Sequence, residues 1–230
     1  MSPVEKILPY ERNLFLWLNE HHTAYWDTFM WIYSGKLIWL PLVIAALGVF
    51  VYKVKWKEAL VLLICAALVG FLCDYISAQM IKPFFERYRP THHPDFSGVV
   101  EIVNNYRGGR YGFISNHAAN GFGIVVFTSL LFRYRYLTLT MILWASVTAY
   151  SRIYLGVHFI SDVVGGAAWG AIIGFVVYYI YLTSRQYILK VPKEELKVPV
   201  YGKDRAHILI GVIFLTIIFI AVYSALFDIP

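Results

Sequence analysis

The 230 residues are 59% hydrophobic, 18% aromatic and only 15% charged, with a mean hydropathy of +0.60. A soluble domain is about 45–50% apolar and about 25% charged, so this composition excludes an ordinary soluble enzyme and indicates an integral membrane protein of one domain. The net charge of +6 does not signal nucleic-acid binding, because the Lys and Arg residues fall in short loops between apolar runs.

In chain order, residues 8–33 mix Glu11, Arg12, Glu20, His21, His22 and Asp27 with Phe15, Trp17, Leu18, Trp26, Phe29 and Trp31. This stretch is too polar to cross a bilayer but aromatic enough to lie at its surface, as an amphipathic helix or a pair of short helices. Spanning helices are expected at about 37–52, 58–81, 117–132, 136–154, 157–182 and 208–226, several of them near the ~20 residues that cross a hydrocarbon core. The expected fold class is therefore all-α: a polytopic six-helix transmembrane bundle with an amphipathic N-terminal interfacial helix. It divides into an interfacial segment at 1–34, a transmembrane core at 35–183, and a charged cytoplasmic segment plus sixth helix at 184–230.

Six alternating spans put eleven Lys and Arg on one side, in 53–57, at Arg133 and Arg135, and in 184–205, against nine on the other. The positive-inside rule makes the first side cytoplasmic. The long polar stretch 83–115 and the turn between the fourth and fifth spans then share the outer face. Cys65 and Cys73 lie eight residues apart on one expected helix, about 12 Å by helical rise. That is too far for a disulfide, so they read as packing residues.

Three clusters meet on the outer face. Lys82-Pro-Phe-Phe-Glu-Arg-Tyr-Arg89-Pro90 closes the second span, and Ser115-Asn116-His117 opens the third. Ser151-Arg152-Ile-Tyr-Leu-Gly156-Val-His158-Phe-Ile-Ser-Asp162 turns from the fourth span into the fifth. On a helix His158 and Asp162 share one face, and a carboxylate beside an imidazole fixes its tautomer and stabilises its charged form. The bland reading of that pair with Arg152 is an ion pair that only joins two helices; charges at membrane depth are more often functional. Lys82, Arg89 and Arg152 supply dispersed positive charge, and Ser115 to His117 supply a hydroxyl and helix N-terminal amides, which together suit a phosphate. Two histidines on opposite sides of phosphorus can act as nucleophile and as acid for the leaving oxygen. No carboxylate pair or cluster points to a metal. The inventory best supports metal-free phosphoryl transfer through a histidine, with no cofactor.

These residues also resemble a known family. Lys, six residues, Arg-Pro (82–90), then Ser-x-His (115–117), then Ser-Arg, five residues, His, three residues, Asp (151–162) is similar to the type 2 phosphatidic acid phosphatase superfamily. The resemblance covers about 36–182. It implies that His158 attacks phosphorus, that Asp162 orients and charges His158, and that His117 protonates the leaving group. It further implies that Lys82, Arg89, Ser115 and Arg152, with the Asn116 amide, hold the phosphoryl oxygens. Water activated by His117 would then hydrolyse the phosphohistidine. One position departs from the family pattern: the second motif usually reads Pro-Ser-Gly-His, whereas here it is Ile114-Ser115-Asn116-His117. Asn tolerates a left-handed backbone better than most residues, and its side chain adds a donor or narrows the pocket.

The expected function is removal of phosphate from an amphiphilic lipid phosphate: lipid A, a polyprenyl diphosphate, phosphatidylglycerophosphate or phosphatidate. By analogy with the membrane branch, the expected location is a bacterial inner membrane with the site on the periplasmic face. A lipid phosphotransferase using the same intermediate is the alternative, and a transporter lined by Arg, His and Asp is disfavoured by the clustering of charge at one face. Arg107 to Arg110 reads either as a solvated loop or as a lid with a further phosphate contact.

Overall fold

The computed structural model describes residues 3–227; residues 1–2 and 228–230, at the outer ends of the expected segments 1–34 and 184–230, lie outside the described residues. Among the described residues regular structure is helical, apart from one isolated bridge between Tyr88 and Tyr111. The amphipathic N-terminal stretch forms two helices, α1 (Leu8–Asn19) and α2 (Ala24–Ser34). Thr23 caps α2 by accepting from the Trp26 amide at 3.2 Å, which satisfies one of the otherwise orphaned first-turn donors. α3 (Leu40–Val51) follows through a 3₁₀ turn at Leu37–Trp39, bent 67° from α2.

α4 (Trp56–Tyr75) continues through a wide π-helical turn at Ile76–Ile81 into α5 (Lys82–Phe85), making one 30-residue rod, Trp56–Phe85. The bundle is completed by α6 (Asn116–Phe132), α7 (Arg135–Tyr154), α8 (Ile160–Tyr187), the single turn α9 (Lys193–Leu196) and α10 (Lys203–Leu226). The rod, α8 and α10 are each long and apolar enough to cross a membrane, and the bent pair α2–α3 adds a fourth candidate. Six spans were expected from hydropathy, and length and composition support three to four. α6 has only 17 residues, and α7 carries Arg135, Arg152, Thr138, Thr140, Thr148 and Ser151 among its apolar positions.

α6 and α8 pack closest at Gly170, where a Cβ would overlap the Ala119 carbonyl oxygen. Lipid tails are as apolar as leucine, so such helices associate through close van der Waals packing, which small residues permit. Around this crossing Val69, Cys73, Ala119, Ile173, Val177 and Tyr181 form the core. Cys65 and Cys73 are both buried and free, in keeping with packing roles.

At the end remote from the three clusters, Arg205 donates to Val49 O at 2.7 Å and Tyr52 O at 2.8 Å. It thereby caps the last carbonyls of α3. Arg185 pairs with Glu58 at 2.9 Å, and the Val200 amide donates to Leu131 O at 2.9 Å. At the other end, α1 is locked into the bundle. Phe15 is fully buried against Phe96 and Phe159, while Asn19 donates to Tyr154 O at 2.9 Å and accepts from the Glu101 amide at 2.8 Å.

Candidate active site

The 86–115 loop folds back on itself: the Arg89 amide donates to Arg110 O at 3.0 Å and the Gly112 amide to Arg87 O at 2.8 Å. It then enters α6 through Ser115, whose amide donates to Asp162 O at 2.9 Å and whose Oγ accepts from the Ala118 amide at 3.5 Å. These bonds fasten the second cluster to the third. The α7–α8 turn is equally fixed, because the Val157 and His158 amides both donate to Arg152 O, at 3.1 and 3.2 Å. Gly156 makes this turn possible. Its φ is +69°, and a Cβ there would stand 2.5 Å from Glu101 O, a left-handed and crowded position that favours glycine.

The first cluster meets the third at His158. Arg89 NH1 lies 2.9 Å from both Val157 O and His158 Nε2. His158 Nδ1 lies 3.3 Å from Asp162 Oδ2, which also accepts from the Phe159 amide at 3.0 Å. A guanidinium can only donate, so Nε2 is the accepting, unprotonated nitrogen and Nδ1–H donates to Asp162. The lone pair of Nε2 is thereby directed at the Arg89 guanidinium. His158 is 2% exposed and Asp162 fully buried.

Positive charge around that nitrogen is concentrated and only partly balanced. Burial, then the neighbouring Arg152 cation, push the Arg89 pKa down to about 10. Arg152 is itself buried, bonding to Ser34 Oγ and, at 3.4 Å, to Tyr106 OH. Among the described residues the buried Nε atoms of Arg89 and Arg152 have no hydrogen-bond partner, so both guanidinium groups keep unused donor capacity. Lys82 Nζ is bonded to Asn116 Oδ1, while Asn116 Nδ2 donates to Asp74 Oδ1 at 2.7 Å. His117, one residue into α6, is half-buried beside Asn116. The charges of Arg152, Lys36, Arg89 and Lys82 all act on it.

All eight residues singled out in the sequence therefore gather at one end of the bundle. Several polar partners were not singled out. Arg87, fully buried, bonds to Asp162 Oδ1 at 2.8 Å and to Glu11 Oε1 at 2.6 Å. Ser34, Asp74 and Tyr106 also contact site residues, and Ser161 bonds to Arg87. Arg87 was visible as the third cation of the first cluster, and Glu11 as an acid inside an aromatic segment. Nothing in their spacing shows that they meet. Among the described residues no three His, Cys, Asp or Glu side chains group as metal ligands.

A cavity of about 1000 Å³ is lined by His117, Asn116, Asp74 and Lys36 beside the site and runs between the helices to Phe50 and Ile213 at the remote end. Its walls are largely apolar.

Residues 58–186 match the family model described as PAP2 superfamily. The chain is 42% identical over 215 residues to the lipid A 4'-phosphatase of Porphyromonas gingivalis, covering 92% of this chain and 91% of that protein. It is 36% identical over 178 residues to the lipid A 4'-phosphatase of Bacteroides thetaiotaomicron, covering 77% and 79%. The crystal structure of a transmembrane PAP2-type phosphatidylglycerolphosphate phosphatase from Bacillus subtilis superposes with a TM-score of 0.56 at 21% identity, covering 82% of this chain and 89% of that one. With a family match over more than half its length and helices able to cross a bilayer, this chain is an integral membrane protein that belongs to the PAP2 superfamily.

Proposed function

We propose that the protein is a membrane lipid phosphatase that takes phosphate from lipid A or a closely related envelope lipid through a phosphohistidine. The single observation that carries this reading is the unprotonated His158 Nε2 beside Arg89, with Asp162 behind it. Phosphoryl transfer needs positioning and dispersed positive charge more than covalent help from the protein. Arg89, Arg152 and Lys82 provide that charge, and the Ser115 and Asn116 region adds helix N-terminal dipole.

In this reading Nε2 attacks phosphorus while His117 gives a proton to the departing lipid oxygen. The covalent bond to Nε2 replaces the contact with Arg89, whose guanidinium then turns to the phosphoryl oxygens. Asp162 holds Nδ1–H and stabilises the charge that the ring acquires. His117, now neutral, takes a proton from water, which attacks phosphorus and releases Nε2. The cavity receives acyl chains, so a lipid can enter with its phosphate at the mouth and its tails between the helices. The bent pair α2–α3, the rod, α6, α7, α8 and α10 make six passes, with the site at the outer end. Support for lipid A comes from the names of the two relatives at 42% and 36% identity.

The test is phosphate release from a panel of lipid phosphates by purified protein in EDTA, with products weighed by mass spectrometry. Wild type is expected to release phosphate from lipid A, and His158→Ala and His117→Ala are each expected to be inactive. Full activity of either variant, or strict dependence on added metal, overturns the mechanism; activity on every lipid phosphate except lipid A overturns the substrate.

A further inference from the structure

We infer that Glu11, on the N-terminal helix, is a positioning residue for the nucleophile, acting through Arg87 and Asp162. The inference rests on the assignment of His158 as nucleophile. Arg87 is fully buried and is held on two sides: NH2 donates to Glu11 Oε1 at 2.6 Å, and NH1 to Asp162 Oδ1 at 2.8 Å and Ser161 Oγ at 2.5 Å. Its guanidinium also lies over the Phe159 ring, 4.6 Å from the centroid.

Glu11 is itself 7% exposed and saturated with donors. Its Oε1 also accepts from Ser161 Oγ at 2.7 Å, and its Oε2 accepts from the Ser161 amide at 2.7 Å. Ser161 is the second residue of α8, so the Glu11 carboxylate sits on the positive end of that helix. One side chain thus fixes two things at once: the start of the helix that carries Asp162, and the guanidinium that grips Asp162 Oδ1. With Oδ1 occupied, Oδ2 stays turned toward His158 Nδ1 and the Phe159 amide.

Charge balance points the same way. Arg87 is compensated by two carboxylates, and it is therefore bound to the back of Asp162 rather than free to join Arg89 and Arg152 around an anion. Removing the Glu11 charge would leave half of a buried guanidinium without an acceptor, which is costly in a dry site. The arrangement would relax by moving Arg87, and Asp162 and the imidazole would follow. Glu11 is held in place by its own helix, through buried Phe15 and Asn19. Residue 11 lies outside the 58–186 family match, so α1 contributes an anchor that the matched region does not contain.

Because the anchor acts on alignment and not on substrate contact, it should alter turnover and spare binding. In phosphate-release assays on lipid A, Glu11→Gln is expected to lower kcat about 10–100-fold, as loss of the partner behind a metal-bound ligand does, with KM within about twofold. Gln keeps the volume but puts an NH2 against the Arg87 or Ser161 donors. Glu11→Asp, which keeps the charge, is expected to recover most of the loss. Wild-type kcat in folded Glu11→Gln overturns the inference, as does a raised KM with kcat unchanged or an Asp variant no better than Gln. If Glu11→Gln does not fold in detergent, Ser161→Ala tests the same link. It removes one hydroxyl from the fork and is expected to cost about fivefold in kcat, and wild-type kcat there overturns the inference. His158→Ala run alongside separates the two levels: an active His158→Ala refutes the nucleophile assignment, whereas an inactive one beside a fully active Glu11→Gln refutes only the positioning role.

Discussion

Asn116 donates through Nδ2 to Asp74 Oδ1 at 2.7 Å, and its Oδ1 holds the ammonium of Lys82. The residue that departs from the family pattern is thus a tether between an exposed acid on α4 and a cation of the site, bridging the wide turn at Ile76–Ile81. In the proposed mechanism Lys82 must leave that tether to reach a phosphoryl oxygen. Asn116→Gly removes a competing bond worth about 1–2 kcal/mol. It is expected to keep kcat within about threefold and to lower KM by up to about tenfold, since each 1.4 kcal/mol is a factor of ten. Steady-state kinetics on the wild type and the variant decide it. A loss of more than about 100-fold in kcat would instead place the Asn116 side chain in the chemistry itself.

Gly156 gives a second prediction. Any side chain there faces both a left-handed backbone and the Glu101 carbonyl, so Gly156→Ala should cost about 1–3 kcal/mol in backbone strain alone. The turn that carries His158 must shift to relieve it. A displacement of about 1 Å is enough to cost about 100-fold in rate, so kcat should fall more steeply than thermal stability. Unchanged kcat in the variant would show that the turn adapts without moving the imidazole.

The pH response should carry a signature of His93, which is buried in the loop beside the site. Its Nδ1 accepts from the Asp95 amide at 3.1 Å, and its ring packs edge-on against Phe96 and Phe159. Burial, with the Arg87 and Arg12 cations, outweighs Asp95 and Glu5 and lowers its pKa below the ordinary 6.5. The unfolded chain therefore takes up a proton near pH 6.5 that the folded protein refuses, and stability is lost as pH falls from about 6.5 toward the lower folded value. His93→Asn keeps an acceptor for the Asp95 amide and removes the titration. The expected result is a melting temperature that falls less between pH 7 and pH 5 in the variant than in the wild type, measured in the same detergent. Parallel slopes would assign the acid sensitivity to other groups.

The sequence made the site unusually legible, and the reason is spacing. His158 and Asp162 are one helical turn apart, and Arg152 and Gly156 lie on the same short segment, so local geometry alone brings them together. Lys82, Arg89, Ser115 and His117 needed only the alternation of spans to be placed at the same end. Glu11, Ser34 and Asp74 were not recoverable in that way. Each reaches its partner across the bundle, and such long-range pairing depends on how the helices cross, which periodicity does not encode. Length and composition leave α7 short of a clear span, because it keeps threonines and arginines whose polar groups find partners inside the protein, as Arg152 does with Ser34 and Tyr106 and Thr148 with Trp144 O. The reading of 8–33 as an amphipathic helix or a pair of short helices did not show that Glu11, Asn19 and Asp27 bond across the bundle.

The long cavity is assembled from two sources. Asn116, His117 and much of one wall come from the 58–186 stretch that matches the family, whereas Tyr33, Trp39, Phe50, Leu209 and Ile213 come from helices outside it. The cavity is therefore a joint product of the family-matched stretch and of helices beyond it, and the match to the relative at 42% identity covers 92% of the chain, so it takes in both parts. In the proposed reading, exchanging α3 and α10 between relatives would change which lipid fits while the head-group end stays as it is.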